Sequence, residues 1–126
     1  VGLAQAAFEA ALRYSQQRSA FGKPICQHQA IQLKLADMAT AITTARLLTH
    51  QAAERVDDLT TGMAKLHASE TACAVTLEAM RVHGGYGYTT EFSVERYYRD
   101  APRLALALGG NDAERLALAR RLREKP

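Results

Sequence analysis

The segment Gln29 to Val56, QAIQLKLADMATAITTARLLTHQAAERV, places Ile31, Leu35, Met38, Ile42, Ala45 and Thr49 at alternating steps of four and three. That spacing lines one face of an α-helix and leaves the other faces polar or small. A stripe of this length has to be covered, and the economical cover is other helices packed along it. Two further segments supply them. VGLAQAAFEAALRYSQQR sets Val1, Ala4, Phe8, Ala11 and Leu12 on one face and predicts a helix ending near Arg18. MAKLHASETACAVTLEAMRV, Met63 to Val82, turns Leu66, Cys73, Leu77 and Met80 inward, among alanines and serines small enough for close helix approach. Three long helices on short connections are antiparallel by default.

Three polar, glycine-bearing breaks interrupt this pattern: RSAFGKP, HGGYGYTTE and LGGND. In the first, Gly22 and Pro24 force an extended connection. The second leads into a short helix predicted at Val94 to Arg99. At the third, Gly109 and Gly110 end one element, and Asn111 is placed to cap a last helix, NDAERLALARRLRE, with Asp112 and Glu114 in its first turn. The connection VDDLTTGMAK is short, either as a native loop or through an omitted segment. The expectation is one all-α domain over residues 1–126, an antiparallel four-helix bundle.

Several function classes fall away on composition. There is no tryptophan and little proline, as suits packed helices. Cys26 and Cys73 form no CxxC pair, so they read as reduced, cytosolic thiols rather than a zinc or redox site. His28, His50, His67 and His83 include no i, i+4 pair, and no metal site is expected. No stretch approaches the roughly twenty apolar residues of a membrane span, and Val1 opens within a helix without the features of a signal peptide, as a fragment would. The formal charge is +3, with basic residues gathered at Arg115, Arg120, Arg121, Arg123 and Lys125. A solvated helix end is the preferred reading of that cluster over a phosphate or acidic partner, and no nucleic-acid module is present.

The breaks hold the residues suited to a ligand. Glycine lets backbone approach closely, Arg18 offers a forked donor for phosphate, and Phe21 and Tyr86 offer flat faces for a ring. On spacing alone ordinary helix-joining loops are the preferred reading over a cofactor site, because GGYG is not a GxGxxG loop and helix connections commonly contain glycine. Glu91 and Glu95 fall near Arg96 and Arg99, where ion pairs holding the loop are expected.

The succession VGLAQAAFEAALRYSQQRSAFGKPICQHQAIQLKLADMAT, then MAKLHASETA, then HGGYGYTTEFSVERYYRDA, resembles the C-terminal helical domain of the acyl-CoA dehydrogenase family, over nearly the whole chain and in order. The resemblance implies an FAD-dependent oxidoreductase that dehydrogenates an acyl thioester between Cα and Cβ. A base removes the α-proton and the β-hydrogen leaves as hydride to the flavin. It further implies an N-terminal helical domain and a middle β-barrel domain absent from this chain. A homo-oligomer, dimer or tetramer, is expected, with electron-transferring flavoprotein as the family's default acceptor. The expected compartment is the cytoplasm, or the mitochondrial matrix in a eukaryote, and an isolated fragment is expected to be inactive.

Carried over residue by residue, the resemblance assigns Arg18 to the FAD pyrophosphate, Phe21 to the nucleotide, and His28 and Gln29 to the adenine end. Gly84 and Gly85 would approach the cofactor across a subunit interface. Two positions depart from the family pattern. Arg81 replaces the usual glutamine before the GG loop, keeping donors for phosphate but losing an acceptor. Leu108 and Gly110 stand where the family has its glutamate base and a threonine near the flavin, and Asp112 stands where a longer polar residue contacts the nucleotide. Leucine accepts no proton, so no catalytic residue is assigned within the chain. The base then lies on the helix upstream of Val1, or the chain is a silent FAD-binding partner in a mixed oligomer, or its flavin does different chemistry. Asp112 is the one substitute base in reach, although helical spacing aims it elsewhere.

Overall fold

The computed structural model describes residues 1–124, so Lys125 of the basic cluster lies outside the described residues. Five α-helices account for most of it: α1 (Gly2–Gln17), α2 (Gln29–Arg55), α3 (Asp58–His83), α4 (Val94–Leu106) and α5 (Gly110–Glu124). Two short antiparallel strands, β1 (Ser19–Ala20) and β2 (Lys23–Pro24), form a hairpin between α1 and α2.

The bundle forms around α3, which packs against each of the other four helices. Its buried positions include Ala64, Ser69, Ala72, Val75, Thr76 and Ala79, small side chains spread around the helix rather than along one stripe. Small side chains on all sides let several helices come close at once. Across from them lie Ala4, Ala7 and Ala11 of α1 and Met38 and Ile42 of α2. The α1 face therefore runs through Ala7 and Ser15, with Phe8 partly buried beside it, a rotation from the face expected around Phe8 and Leu12.

The fold class is the expected all-α bundle, with a different fourth member. The helix expected to stop at Arg99 continues to Leu106 and contributes Val94 and Ala101 to the core. α5 contributes nothing to that cluster and lies along α3, with Leu118 buried. Strong amphipathicity of α4 outweighs the proline at position 102, which falls in its last turns on the exposed side.

The expected loop between α2 and α3 is almost entirely helical. Asp57 caps α3 by accepting from the Thr60 backbone N–H at 2.8 Å, and only Val56 and Asp57 separate the two helices. Turning the chain in two residues puts Val56 at φ 49°, ψ 43°, a left-handed conformation that a β-branched side chain adopts at a cost. Val56 is exposed and gains no packing in return. Val56→Asn is expected to stabilise the domain by about 0.5–1 kcal/mol, because asparagine tolerates this conformation. Thermal unfolding of the two proteins checks it.

Candidate functional site

The first break is a two-residue β-hairpin. Phe21 and Gly22 form its tip at φ 52° and 81°, the paired positive values of a type I′ turn. Such a tip favours Asn-Gly, and a bulky aromatic there is strained by roughly 1–2 kcal/mol. Phe21 as a residue is 97% exposed, so almost no burial offsets the strain. The hairpin is nonetheless held firmly. Ile25 N–H donates to the Arg18 carbonyl at 2.8 Å, and His28 Nε2–H donates to the Ala20 carbonyl at 3.0 Å while its ring meets Phe21 edge-on. His28 thus braces the tip. Gln29 is exposed at the first position of α2.

The second break folds back over the end of α3. Gly84 takes φ 60° and ψ −138°, a backbone conformation essentially confined to glycine. Gly87 makes the fold-back possible: a Cβ there would lie 2.8 Å from the Met80 carbonyl oxygen and 3.1 Å from Met80 Cα. Gly85 is the opposite case, with open space where its Cβ would be. Thr89 then donates to the Tyr86 carbonyl from both its backbone N–H (3.1 Å) and its hydroxyl (2.9 Å).

His83, the last residue of α3, is buried and stacks on Tyr14 of α1 with ring centroids 4.3 Å apart. Phe92 meets both rings edge-on. Nδ1–H donates to the Ala79 carbonyl at 2.8 Å. Burial pushes the imidazole pKa below its ordinary value, against the opposing pull of that carbonyl, and the ring is held neutral. The unfolded chain therefore takes up this proton first, so the stabilisation is complete above about pH 6.5 and declines below it.

These pieces enclose a cleft of about 510 Å³ lined by Arg18, Arg81, His83, Gly84, Gly85 and Tyr86, among others, with two arginines and no carboxylate in its lining. The Arg18 guanidinium lies 5.8 Å from the centre of the Tyr86 ring. Arg81 is paired with Glu78, which also takes Lys34 from α2. Burial works against the Glu78 carboxylate, but the hydrogen bonds from Lys34 and Arg81 outweigh it and hold its pKa below the ordinary value.

The third break lies elsewhere. Leu108, Gly109 and Gly110 run at φ 56°, 91° and 83°, leaving the Leu108 side chain 90% exposed. Asn111 does not cap α5 as expected. It is buried within the first turn, accepting from Lys65 Nζ (2.8 Å) and Ser69 Oγ (3.1 Å) of α3. Ser69 and His83 are 14 positions apart on one helix, so this break sits about 20 Å from the glycine loop. Arg18, Arg81, Gly84 and Gly85 therefore share one cleft with the Phe21 hairpin beside it, whereas Leu108, Gly110 and Asp112 form a separate group. Asp112 is exposed and pairs with Arg115 on its own helix.

The basic cluster is more than a solvated helix end. Arg115 also pairs with Glu70 and Arg121 with Asp58, joining α5 to α3. Of the ion pairs expected to hold the second break, Arg99 and Glu95 do pair at 2.8 Å, but one turn apart within α4 rather than across the loop. Sequence reading missed Gly87, the Tyr14–His83 stack and the anchor at Asn111. Only Gly87 carried a signal, as the third glycine of GGYG. Among the described residues, no group of histidine, cysteine and carboxylate side chains is placed to hold a metal, and no helix is long and apolar enough to cross a membrane.

The chain is similar to known proteins over nearly its full extent. The sequence pattern of the family described as acyl-CoA dehydrogenase, C-terminal domain, matches residues 1–123. The short-chain specific acyl-CoA dehydrogenase of Bos taurus mitochondria is 48% identical over 94% of this chain and 30% of its own length. A 3-(aryl)acrylate reductase of Clostridium sporogenes is 39% identical over 97% of this chain and 34% of its own. The structure of butyryl-CoA dehydrogenase from Megasphaera elsdenii superposes with a TM-score of 0.94 at 39% identity, covering 98% of this chain and 33% of that one. The chain thus spans about a third of the length of these relatives.

Two glycines separate folding from ligand access. Gly87→Ala is expected to destabilise the domain by about 1–3 kcal/mol, whereas Gly85→Ala stays within about 0.5 kcal/mol, both read by denaturant unfolding. His83 sets a second expectation: unfolding stability declines as pH falls below about 6.5, and His83→Phe flattens that decline.

Proposed function

Given that the chain belongs to the acyl-CoA dehydrogenase family, we propose that it is the C-terminal, FAD-contacting third of a flavoenzyme that oxidises an acyl thioester between Cα and Cβ. The N-terminal helical and middle β-barrel domains would be supplied outside residues 1–126, and the isolated chain would be inactive. The observation that carries the reading is the Phe21 tip. A fully exposed aromatic ring is kept in a strained turn beside a carboxylate-free cleft with two arginines. Strain retained without packing gain is explained by a contact made with a ligand.

The residues present fit a dinucleotide. Arg18 and Arg81 would hold the diphosphate, with Arg81 keeping donors to spare beyond Glu78. Gly84 and Gly85 leave room for backbone approach, and Phe21, braced by His28, offers its face to a ring, with Gln29 next in the chain. Gly110 and Asp112, about 20 Å away, would meet a different stretch of cofactor or a cofactor bound mainly by a neighbouring subunit. Bound FAD supplies the two-electron acceptor. This chain's part is to bind and orient it, since Leu108 offers no proton acceptor at the third break. The base would come from outside the chain.

The open cleft suits an oligomer in which a second subunit completes the site, as a dimer or tetramer. Electron-transferring flavoprotein is the proposed acceptor, and the cytoplasm, or the mitochondrial matrix of a eukaryote, the proposed compartment. The exposed Leu108 favours one second reading, a silent FAD-binding subunit in a mixed oligomer. Anaerobic addition of a panel of acyl thioesters to the complete flavoprotein separates the two. Bleaching of the flavin supports the enzyme, and a flavin that stays oxidised with every thioester supports the silent subunit.

Substitution at Phe21 should move stability and affinity in opposite directions. Phe21→Asn is expected to stabilise the domain by about 0.5–1 kcal/mol, by relieving the turn, while weakening FAD binding to the complete protein about five- to tenfold. Thermal unfolding and apoprotein titration measure the two effects.

A further inference from the structure

Arg18 differs from Arg81, the other arginine of the cleft, in how its charge is held. Arg81 pairs with Glu78, but no carboxylate pairs with the Arg18 guanidinium among the described residues. Its backbone is fixed at both ends: the N–H donates to the Tyr14 carbonyl at 2.8 Å, and the carbonyl accepts from Ile25 N–H at 2.8 Å. The guanidinium instead lies over the face of Tyr86, 5.8 Å from the ring centre. An aromatic face attracts a cation without neutralising it, which a carboxylate would do. Tyr86 in turn sits on a rigid base. Thr89 bonds its carbonyl twice, Gly87 locks the next residue against the Met80 backbone, and the Phe92 ring meets it at 6.0 Å.

We propose that Tyr86 is a positioning residue for anion binding: its ring holds the Arg18 guanidinium, charged and unpaired, at the mouth of the cleft, ready for a diphosphate. This rests on the reading of the cleft as a dinucleotide site. Tyr86 itself makes no bond to the phosphate in this arrangement, and its hydroxyl is dispensable. An arginine held in advance loses less freedom on binding, so removing the ring weakens affinity without removing a donor.

The test is a double-mutant cycle on FAD affinity in the complete protein, with Tyr86→Leu, Tyr86→Phe, Arg18→Gln and the double variant Tyr86→Leu with Arg18→Gln, each titrated as apoprotein at low and high salt. Tyr86 is half-exposed, so the leucine variant is expected to fold, and thermal unfolding checks this. Tyr86→Leu should weaken binding about three- to tenfold and reduce its salt dependence, whereas Tyr86→Phe stays within about twofold of the native protein. In the Arg18→Gln background, Tyr86→Leu should add less than about twofold. Full additivity, or a phenylalanine variant as weak as the leucine one, would overturn the positioning role. Native affinity in Arg18→Gln would instead overturn the dinucleotide reading of the cleft, and this proposal with it.

Discussion

Close approach to α3 is the constraint on which the rest of the domain depends. α1, α2 and α4 reach it because its buried positions are mostly alanine, serine, threonine and valine, and α5 reaches it where Gly62 leaves room beside Leu118. The same rule governs its far end. Gly87 lies against the Met80 backbone, so the glycine loop folds over the last turn instead of running into solvent. A larger residue at Gly87 would push the glycine loop away from α3, and that loop is a wall of the cleft.

Energy is spent unevenly around this frame. The Tyr14–His83–Phe92 cluster ties α1 to the end of α3 and fixes the distance between the hairpin and the glycine loop. Strain is kept at two exposed tips with ligand-facing readings, Phe21 and Leu108, and at Val56, where the two-residue turn explains it. The polar anchor at Asn111 gives the third break its own rigid support, independent of the cleft. The domain therefore presents two separately held surfaces.

Periodicity made the bundle legible, because the steps of four and three in α2 admit no other regular structure. The motif succession brought the family with it. What stayed hidden depended on contacts distant in sequence. The fourth bundle helix was read as short, since nothing local says that Val94 and Ala101 meet α3. Asn111 looked like a cap because capping is a local rule, and its partners Lys65 and Ser69 lie more than forty residues away. The I′ turn was obscured by phenylalanine at a position where asparagine is the usual signal. Arg18, Arg81, Gly84 and Gly85 were each named from sequence, but their convergence on one cleft required the bundle.

The central claim is that the hairpin tip and the glycine loop together meet the cofactor. Amide hydrogen exchange of the complete protein with and without FAD measures this residue by residue. The claim predicts slowed exchange at residues 19–23 and 84–89 on FAD addition; unchanged exchange at both segments in a protein that has bound FAD would contradict it.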